Sequence, residues 1–240
     1  MAGIAFYLHD NPYISKAGLA ELVHDMSAQS YRLEILAEDD EIQLSWLVYK
    51  AFNEIHCRKP VIALPLDWPI YVGHDFGQAN PAAIFFARDY KRNELHTLAE
   101  YFPGAGSSIA QHVEAFKGIV EGRPVAARVG GNWTTEEEIR QGYTTQGWPI
   151  QKPRWKEVKL QLDHVIALME RNQIIVYENV PHYLEEIQNC LWQIGADGKP
   201  LDKIQDEAKY HLCAAARYVL SDFTPETVEM GKTKSYISWR

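Results

Sequence analysis

The sequence predicts an α/β domain: a mixed five-stranded sheet with helices on both faces and a helical segment in front. Three observations carry this. β-rich runs at 70–75, 82–89 and 94–101 follow one another across short polar turns such as Lys91-Arg92-Asn93, as in an antiparallel meander. From residue 108 the pattern switches to alternating helix and strand, the mark of strands joined by helical crossovers. Pro60, Pro65 and Pro69 punctuate the stretch before the first run and disfavour helix at the residues preceding them, so 59–69 reads as an extended linker.

The elements follow in order. Leu19, Leu22, Val23 and Met26 recur at helical spacing after the N-cap Ser15, and Ser27 can cap a second helix carrying Tyr31, Ile35 and Leu36. Residues 1–68 are therefore a mainly helical lead and linker. The body spans 69–223, and 224–240 is a tail. Within the body, Ser108 caps a helix with Ile109, Val113, Phe116, Ile119 and Val120 on one face, and a strand over 124–129 comes next. Thr134 or Thr135, with Glu137 or Glu138 three residues on, forms a capping box for a helix that Gly147 ends. A short strand about Ile150, a helix over 156–170, a strand over 173–177 and helices near 183–192 and 207–222 complete the body.

Composition bounds the function. With 46% hydrophobic and 23% charged residues, 240 residues bury a core of ordinary size. No apolar run approaches the about 20 residues that span a bilayer, and no secretory leader opens the chain, so membrane attachment is not expected and a cytoplasmic setting is. Cys57, Cys190 and Cys213 are too far apart for a C-x-x-C pair and read as buried thiols. A net charge of -8 means that any nucleic-acid contact is local. The local candidate is the segment Lys152, Arg154, Lys156 and Lys159 around Trp155, with Arg128 as a further cation; as a structure-only feature, this run is a solvated helix start.

The residue that carries chemistry is Asp75. It ends an apolar strand, Pro69-Ile70-Tyr71-Val72-Gly73, and is followed by the turn residues Gly77 to Pro81 and a second strand. An acid at that place can grip a metal ion; alternatively it bonds the amides of Gly77 or Gln78 as a turn aspartate. In an RNase H-like sheet the first strand is central and the fourth lies beside it. Acids at their ends face an acid of the last helix and clamp two divalent cations about 4 Å apart for phosphodiester hydrolysis.

In these motifs the chain resembles the nuclease part of the large terminase subunit of tailed phages. His9-Asp10-Asn11-Pro12-Tyr13 and Tyr31-Arg32-Leu33-Glu34 are similar to the segment joining the packaging ATPase to its nuclease. Asp75-Phe76-Gly77 with Asn80-Pro81-Ala82 resembles the first nuclease strand, and Leu98-Ala99-Glu100 the third. Arg128-Val129-Gly130-Gly131, Thr135 to Arg140 and Gly147-Trp148-Pro149 resemble the fourth strand and its helix, and His211 to Tyr218 the terminal helix. The resemblance implies cleavage of double-stranded DNA with Mg²⁺ or Mn²⁺, Asp75 being catalytic and a metal ligand. It implies a packaging ATPase, a portal and a small terminase subunit as partners, a virus-encoded protein in the host cytoplasm, and a chain that is part of a longer one.

Two departures stand beside it. The family pattern puts a carboxylate at the end of the fourth strand, where this chain has Arg128-Val129-Gly130, and another in the last helix, where it has Ala214. Glu100, Asp206 and Glu178 are the candidate substitutes, although Glu100 and Glu178 are each expected two strands from Asp75, about 10 Å away. Asp206 equally suits an N-cap and His211 a core histidine. The departures leave a second reading, a catalytically degenerate module that binds DNA or docks to packaging partners. A third, an actin- or sugar-kinase-like phosphotransferase, lacks its second Gly-rich hairpin. No ATP site is legible: Gly231-Lys232-Thr233 lacks the earlier glycine and strand of a phosphate loop.

Overall fold

The computed structural model describes residues 45–52, 57–58, 63–77, 81–131, 136–196 and 198–224. The two leading helices, the first four residues of the linker (59–62), the turn at 78–80, the capping-box threonines and the tail beyond 224 lie outside the described residues. No helix among those described is long and apolar enough to cross a membrane.

The meander forms as the alternation requires. β2 (Ile70–Asp75) pairs antiparallel with β3 (Ala82–Asp89), which pairs antiparallel with β4 (Glu94–Tyr101). α1 (Ile109–Val120) leads into β5 (Val125–Gly130), which lies parallel to β2 on its free side. Ser108 opens α1 with a capping box, its hydroxyl accepting from the amide of Gln111 while Gln111 Oε1 accepts from the Ser108 amide. α2 (Glu137–Thr145), α3 (Val158–Glu170), β6 (Ile174–Tyr177), α4 (Pro181–Asn189) and α5 (His211–Asp222) follow. A two-residue β1 (Cys57–Arg58) pairs parallel with β6 and adds a short strand to the five expected.

The sheet order is β1-β6-β4-β3-β2-β5, so β2 is internal, flanked by β3 and β5. Helices cover both faces, as expected for a sheet with parallel pairs. Ile70, Val72, Ala83, Phe85 and Ala87 face Val113, Phe116, Tyr143 and Trp148 of the α1 and α2 layer. Ile84, Phe86, Val129, Ile174 and Val176 face Leu162, Leu168, Tyr183, Leu212, Ala215 and Val219 of the α3, α4 and α5 layer. Val48 and Tyr49, from the lead segment, are buried in this second layer.

Three expectations change in the structure. The strand about Ile150 is reduced to one parallel bridge between Gln151 and Val129. The helix expected near 183–192 stops at Asn189, because Cys190 turns extended and its carbonyl accepts from the Val48 amide; a hairpin of β7 (Trp192–Ile194) and β8 (Pro200–Ile204) follows. The last helix begins at His211, four residues later than expected, after a 3-10 turn at Glu207–Lys209.

Candidate functional site

Side chains alternate along β2, so Ile70, Val72 and His74 point to the α1 layer and Tyr71, Gly73 and Asp75 to α5. Gly73 is where α5 crosses the strand. A Cβ there would lie 2.0 Å from the Ala215 carbonyl oxygen and 2.9 Å from Val219, so only glycine lets the helix backbone rest on the sheet. One helical turn before Ala215 is His211, and two residues after Gly73 is Asp75. The crossing therefore delivers the first residue of α5 to the carboxyl end of β2, where His211 Nδ1 lies 2.8 Å from Asp75 Oδ2.

This pair is the candidate site. Both side chains are mostly buried yet reach the surface, each 17% exposed. The hydrogen bond to Asp75, and its charge, raise the His211 pKa above the ordinary imidazole value against the opposing effect of burial. The partly positive amino end of α5 also favours a carboxylate here.

Two further carboxylates build this end of the sheet, each by capping a helix. Glu100 accepts the amides of His182 (3.1 Å) and Tyr183 (2.9 Å) and touches His182 Nδ1, fixing the start of α4. Glu186 of α4, 9% exposed, accepts the amide of Cys213 at 2.7 Å in the first turn of α5. Burial lifts the Glu186 carboxyl to about 7, opposed by the Cys213 and Leu212 amides and by His211, and reinforced by Asp75. Glu186 also lines a pocket of about 260 Å³ with Phe102, His182, Glu185, Asn189, Lys209 and Tyr210. The chain of contacts thus runs Glu100, α4, Glu186, α5, His211, Asp75.

The remaining sequence candidates lie elsewhere. Asp206 sits in a left-handed turn and pairs with Lys209 at 2.8 Å rather than capping α5. Glu178 is exposed after β6, and because β6 pairs with β4 it is three strands from Asp75, not two. Arg128 is on the α1 face, opposite Asp75, with its guanidinium 4.3 Å from the centre of the Trp148 ring. Lys152 pairs with Glu137 at 2.9 Å and Lys159 with Asp202 of the hairpin. Arg154 lies over Trp155 and reaches Thr224, at the end of α5 about 18 Å along the helix from His211. Lys156 is exposed beside it.

His74, as its place on the strand predicts, is no partner of Asp75. It accepts a hydrogen bond from Trp148 Nε1 at 3.1 Å, and burial, then Arg128 and His112, lower its pKa to about 3, so it is neutral. Another acid and histidine group, Asp89, Glu94 and His96, has ligand atoms within 4.8 Å of one another. It stands at the hairpin end of β3 and β4, about 23 Å along the sheet from Asp75.

His211 is the residue the sequence left open between a core histidine and a site residue, and Glu186 is a neighbouring carboxylate that it did not single out. Glu186 carries no local signal, being an acid in an ordinary amphipathic helix. His211 had one: it opens the terminal helix one turn before Ala214.

The site can be compared with that of a two-cation nuclease. The end of β5 holds no acid and has no room for one, since a Cβ at Gly130 would meet the His74 carbonyl oxygen at 2.2 Å and one at Gly131 the Phe76 ring at 2.3 Å. The buried guanidinium of Arg140 occupies this strand end, its Nη1 donating to the Gly130 carbonyl at 3.1 Å. Among the described residues this strand end therefore offers no carboxylate, and Asp75 Oδ2 and His211 Nδ1 meet as a hydrogen-bonded pair at 2.8 Å.

With this geometry in hand, solved structures place the architecture. The nuclease domain of the large terminase of bacteriophage SPP1, solved with bound Mn, matches with a TM-score of 0.54 and 18% identity, over 68% of this chain and 93% of that domain. This chain has the fold of a terminase nuclease domain. The large terminase nuclease of the thermophilic phage G20c, solved with bound magnesium, matches at 0.56 and 17% identity, over 75% of this chain and 98% of that one. A longer large terminase, from a second thermophilic bacteriophage, matches at 0.61 and 15% identity, over 90% of this chain. The chain spans about half, 53%, of that longer protein's length. No family model and no curated protein sequence matches the chain.

Proposed function

We propose that the chain is the nuclease-type domain of the large subunit of a viral DNA-packaging terminase and hydrolyses double-stranded DNA at the Asp75 end of the sheet, assisted by Mn²⁺ or Mg²⁺. The observation that carries the proposal is the meeting of Asp75, at the carboxyl end of an internal strand, with His211 at the start of the last helix. Crevices at the carboxyl ends of strands are where open α/β sheets bind their ligands. Asp75 and His211 would hold the cation, with water in its remaining positions. Bound there, a divalent cation supplies Lewis acidity to a phosphodiester and lowers the pKa of a water.

The chain's own residues set the conditions. Asp75 supplies the fixed negative charge. His211 must be neutral to ligate, so loading releases its proton and weakens as pH falls. A single imidazole nitrogen in the donor set favours Mn²⁺ over the oxygen-seeking Mg²⁺. Glu100 acts here as the cap that seats α4; Asp206 and Glu178 have no part in the site. Lys152, Arg154, Lys156 and Lys159 are the proposed DNA-facing cations, with Arg128 on the far face. The ATPase that drives packaging is a partner region, in keeping with the longer thermophilic-phage large terminase, which is also solved with ADP. The portal and the small terminase subunit are the further proposed partners, met in the host cytoplasm.

A second reading, a catalytically silent module that binds DNA or docks to the packaging machinery, is favoured by the closed, Arg140-occupied end of β5. Nicking of supercoiled plasmid by the full chain with Mn²⁺ separates the two. The nuclease reading expects cutting that Asp75→Ala abolishes. No cutting at high Mn²⁺ and protein, with DNA binding retained, selects the silent module.

A further inference from the structure

We infer that Asp89, Glu94 and His96, at the hairpin end of β3 and β4, form a binding site for one divalent cation of the Zn²⁺ class, which ties this hairpin to β6. Among the described residues, these three side chains bring one potential ligand atom each to within 4.8 Å of the others. The register of the hairpin makes the group. Asp89 stands directly opposite Glu94, and His96 lies two residues further along β4 on the same face, opposite Ala87. The site is about 23 Å along the sheet from Asp75 and does not depend on the proposed cleavage.

Charge and orientation point to a cation. Like charges directly opposite each other on paired strands are destabilising, and here Asp89 is buried and Glu94 partly so. A proton on His96 balances one of the two carboxylates, whereas a dication balances both. His96 is buried under the Trp68 ring, 5.1 Å away, with its Nδ1 3.0 Å from the Tyr177 hydroxyl of β6 and its Nε2 3.1 Å from Glu94 Oε2. When Nδ1–H is donated to that hydroxyl, Nε2 presents its lone pair to the carboxylates, the outer-shell arrangement that fixes the tautomer of a ligating histidine. Asp89 is held in the same manner, its Oδ1 accepting the amides of Lys91 at 2.8 Å and Arg92 at 3.3 Å. Adjacent ligands about 2.1 Å from a tetrahedral ion stand about 3.4 Å apart, so a rotation of the Glu94 side chain is enough to enclose one. One imidazole and two carboxylates, with water in the fourth position, suit Zn²⁺ and rank it above Mn²⁺.

Calorimetry and thermal unfolding of the full chain, with Zn²⁺ as the only added metal, test this. The chain is expected to bind Zn²⁺, and its Tm to rise by at least about 5 °C when free Zn²⁺ is about 100-fold above Kd. Glu94→Gln and Asp89→Asn each remove one charge and keep a side-chain oxygen, so the Lys91 and Arg92 amides retain their acceptor. Each should weaken Zn²⁺ at least about tenfold with unchanged far-UV circular dichroism, whereas Asp75→Ala should still bind it. An unmodified chain that binds no Zn²⁺ overturns the inference, as does unmodified affinity in either variant. Loss of all binding in Asp75→Ala assigns the ion to the other end of the sheet and overturns it too. Should the variants fail to fold, crystals of the unmodified protein soaked in Zn²⁺ decide. An anomalous peak about 2.1 Å from His96 Nε2 supports the inference, and no peak there refutes it.

Discussion

Gly73→Ala is the sharpest perturbation of the site that touches none of its chemical groups. The added methyl would stand 2.0 Å from the Ala215 carbonyl oxygen and 2.7 Å from its carbon, where real Cβ contacts essentially never fall below 3.0 Å. The obstacle is helix backbone, which has no rotamer to change, so α5 must lift from β2 by at least 1 Å at this crossing. Overpacking of a core costs about 1–3 kcal/mol when side chains can yield. Here they cannot, so a loss at or above about 3 kcal/mol is expected. The same lift stretches the 2.8 Å contact between His211 and Asp75 beyond hydrogen-bond reach, since His211 is one turn from Ala215. Urea unfolding measures the first effect and Mn²⁺ calorimetry the second. A Gly73→Ala protein with wild-type stability and Mn²⁺ affinity would refute the account of how the site is assembled.

Other outcomes follow from the same geometry. Restoring the family's acid by Gly130→Asp is expected to lower stability and leave Mn²⁺ binding no tighter, because its Cβ meets the His74 backbone; a gain in affinity would contradict this. Glu100→Ala removes the cap of α4 and should cost about 1–2 kcal/mol in urea unfolding, without the complete loss of Mn²⁺ binding expected of Asp75→Ala. For Glu186 the folded pKa, about 7, lies above the carboxyl's ordinary 4.5, so the folded state holds the proton more tightly. Its contribution is therefore greatest in acid and fades as pH rises from about 4.5 to about 7, a change of about 3 kcal/mol when complete. Glu186→Gln lacks that slope, and its stability relative to wild type should rise between about pH 5 and about pH 8; a constant difference would count against it.

Much of the fold was legible in the chain because it rests on local patterns. The alternation at 70–75, 82–89 and 94–101, the capping box at Ser108 and the apolar face of α1 each express an interaction within a few residues. The hairpin after α4 was not legible, since its start is set by Cys190 pairing with Val48, far away in sequence. Asp75 was legible because strand, acid and turn are contiguous. Glu186 was not, because what distinguishes it is a Cys213 amide on another helix and burial by elements from across the chain.

The sequence by itself determined the order of elements, the acid at the end of an internal strand, and the missing carboxylates at the fourth strand and last helix, all of which depend on residue type at a known place along the chain. Only the tertiary structure decided that Gly73 lets α5 settle on β2 and bring His211 to Asp75, and that Gly130, Gly131 and Arg140 close the end of β5. Steric exclusion and charge proximity act through space, so the neighbours that fill or vacate a site are set by packing rather than by spacing along the chain.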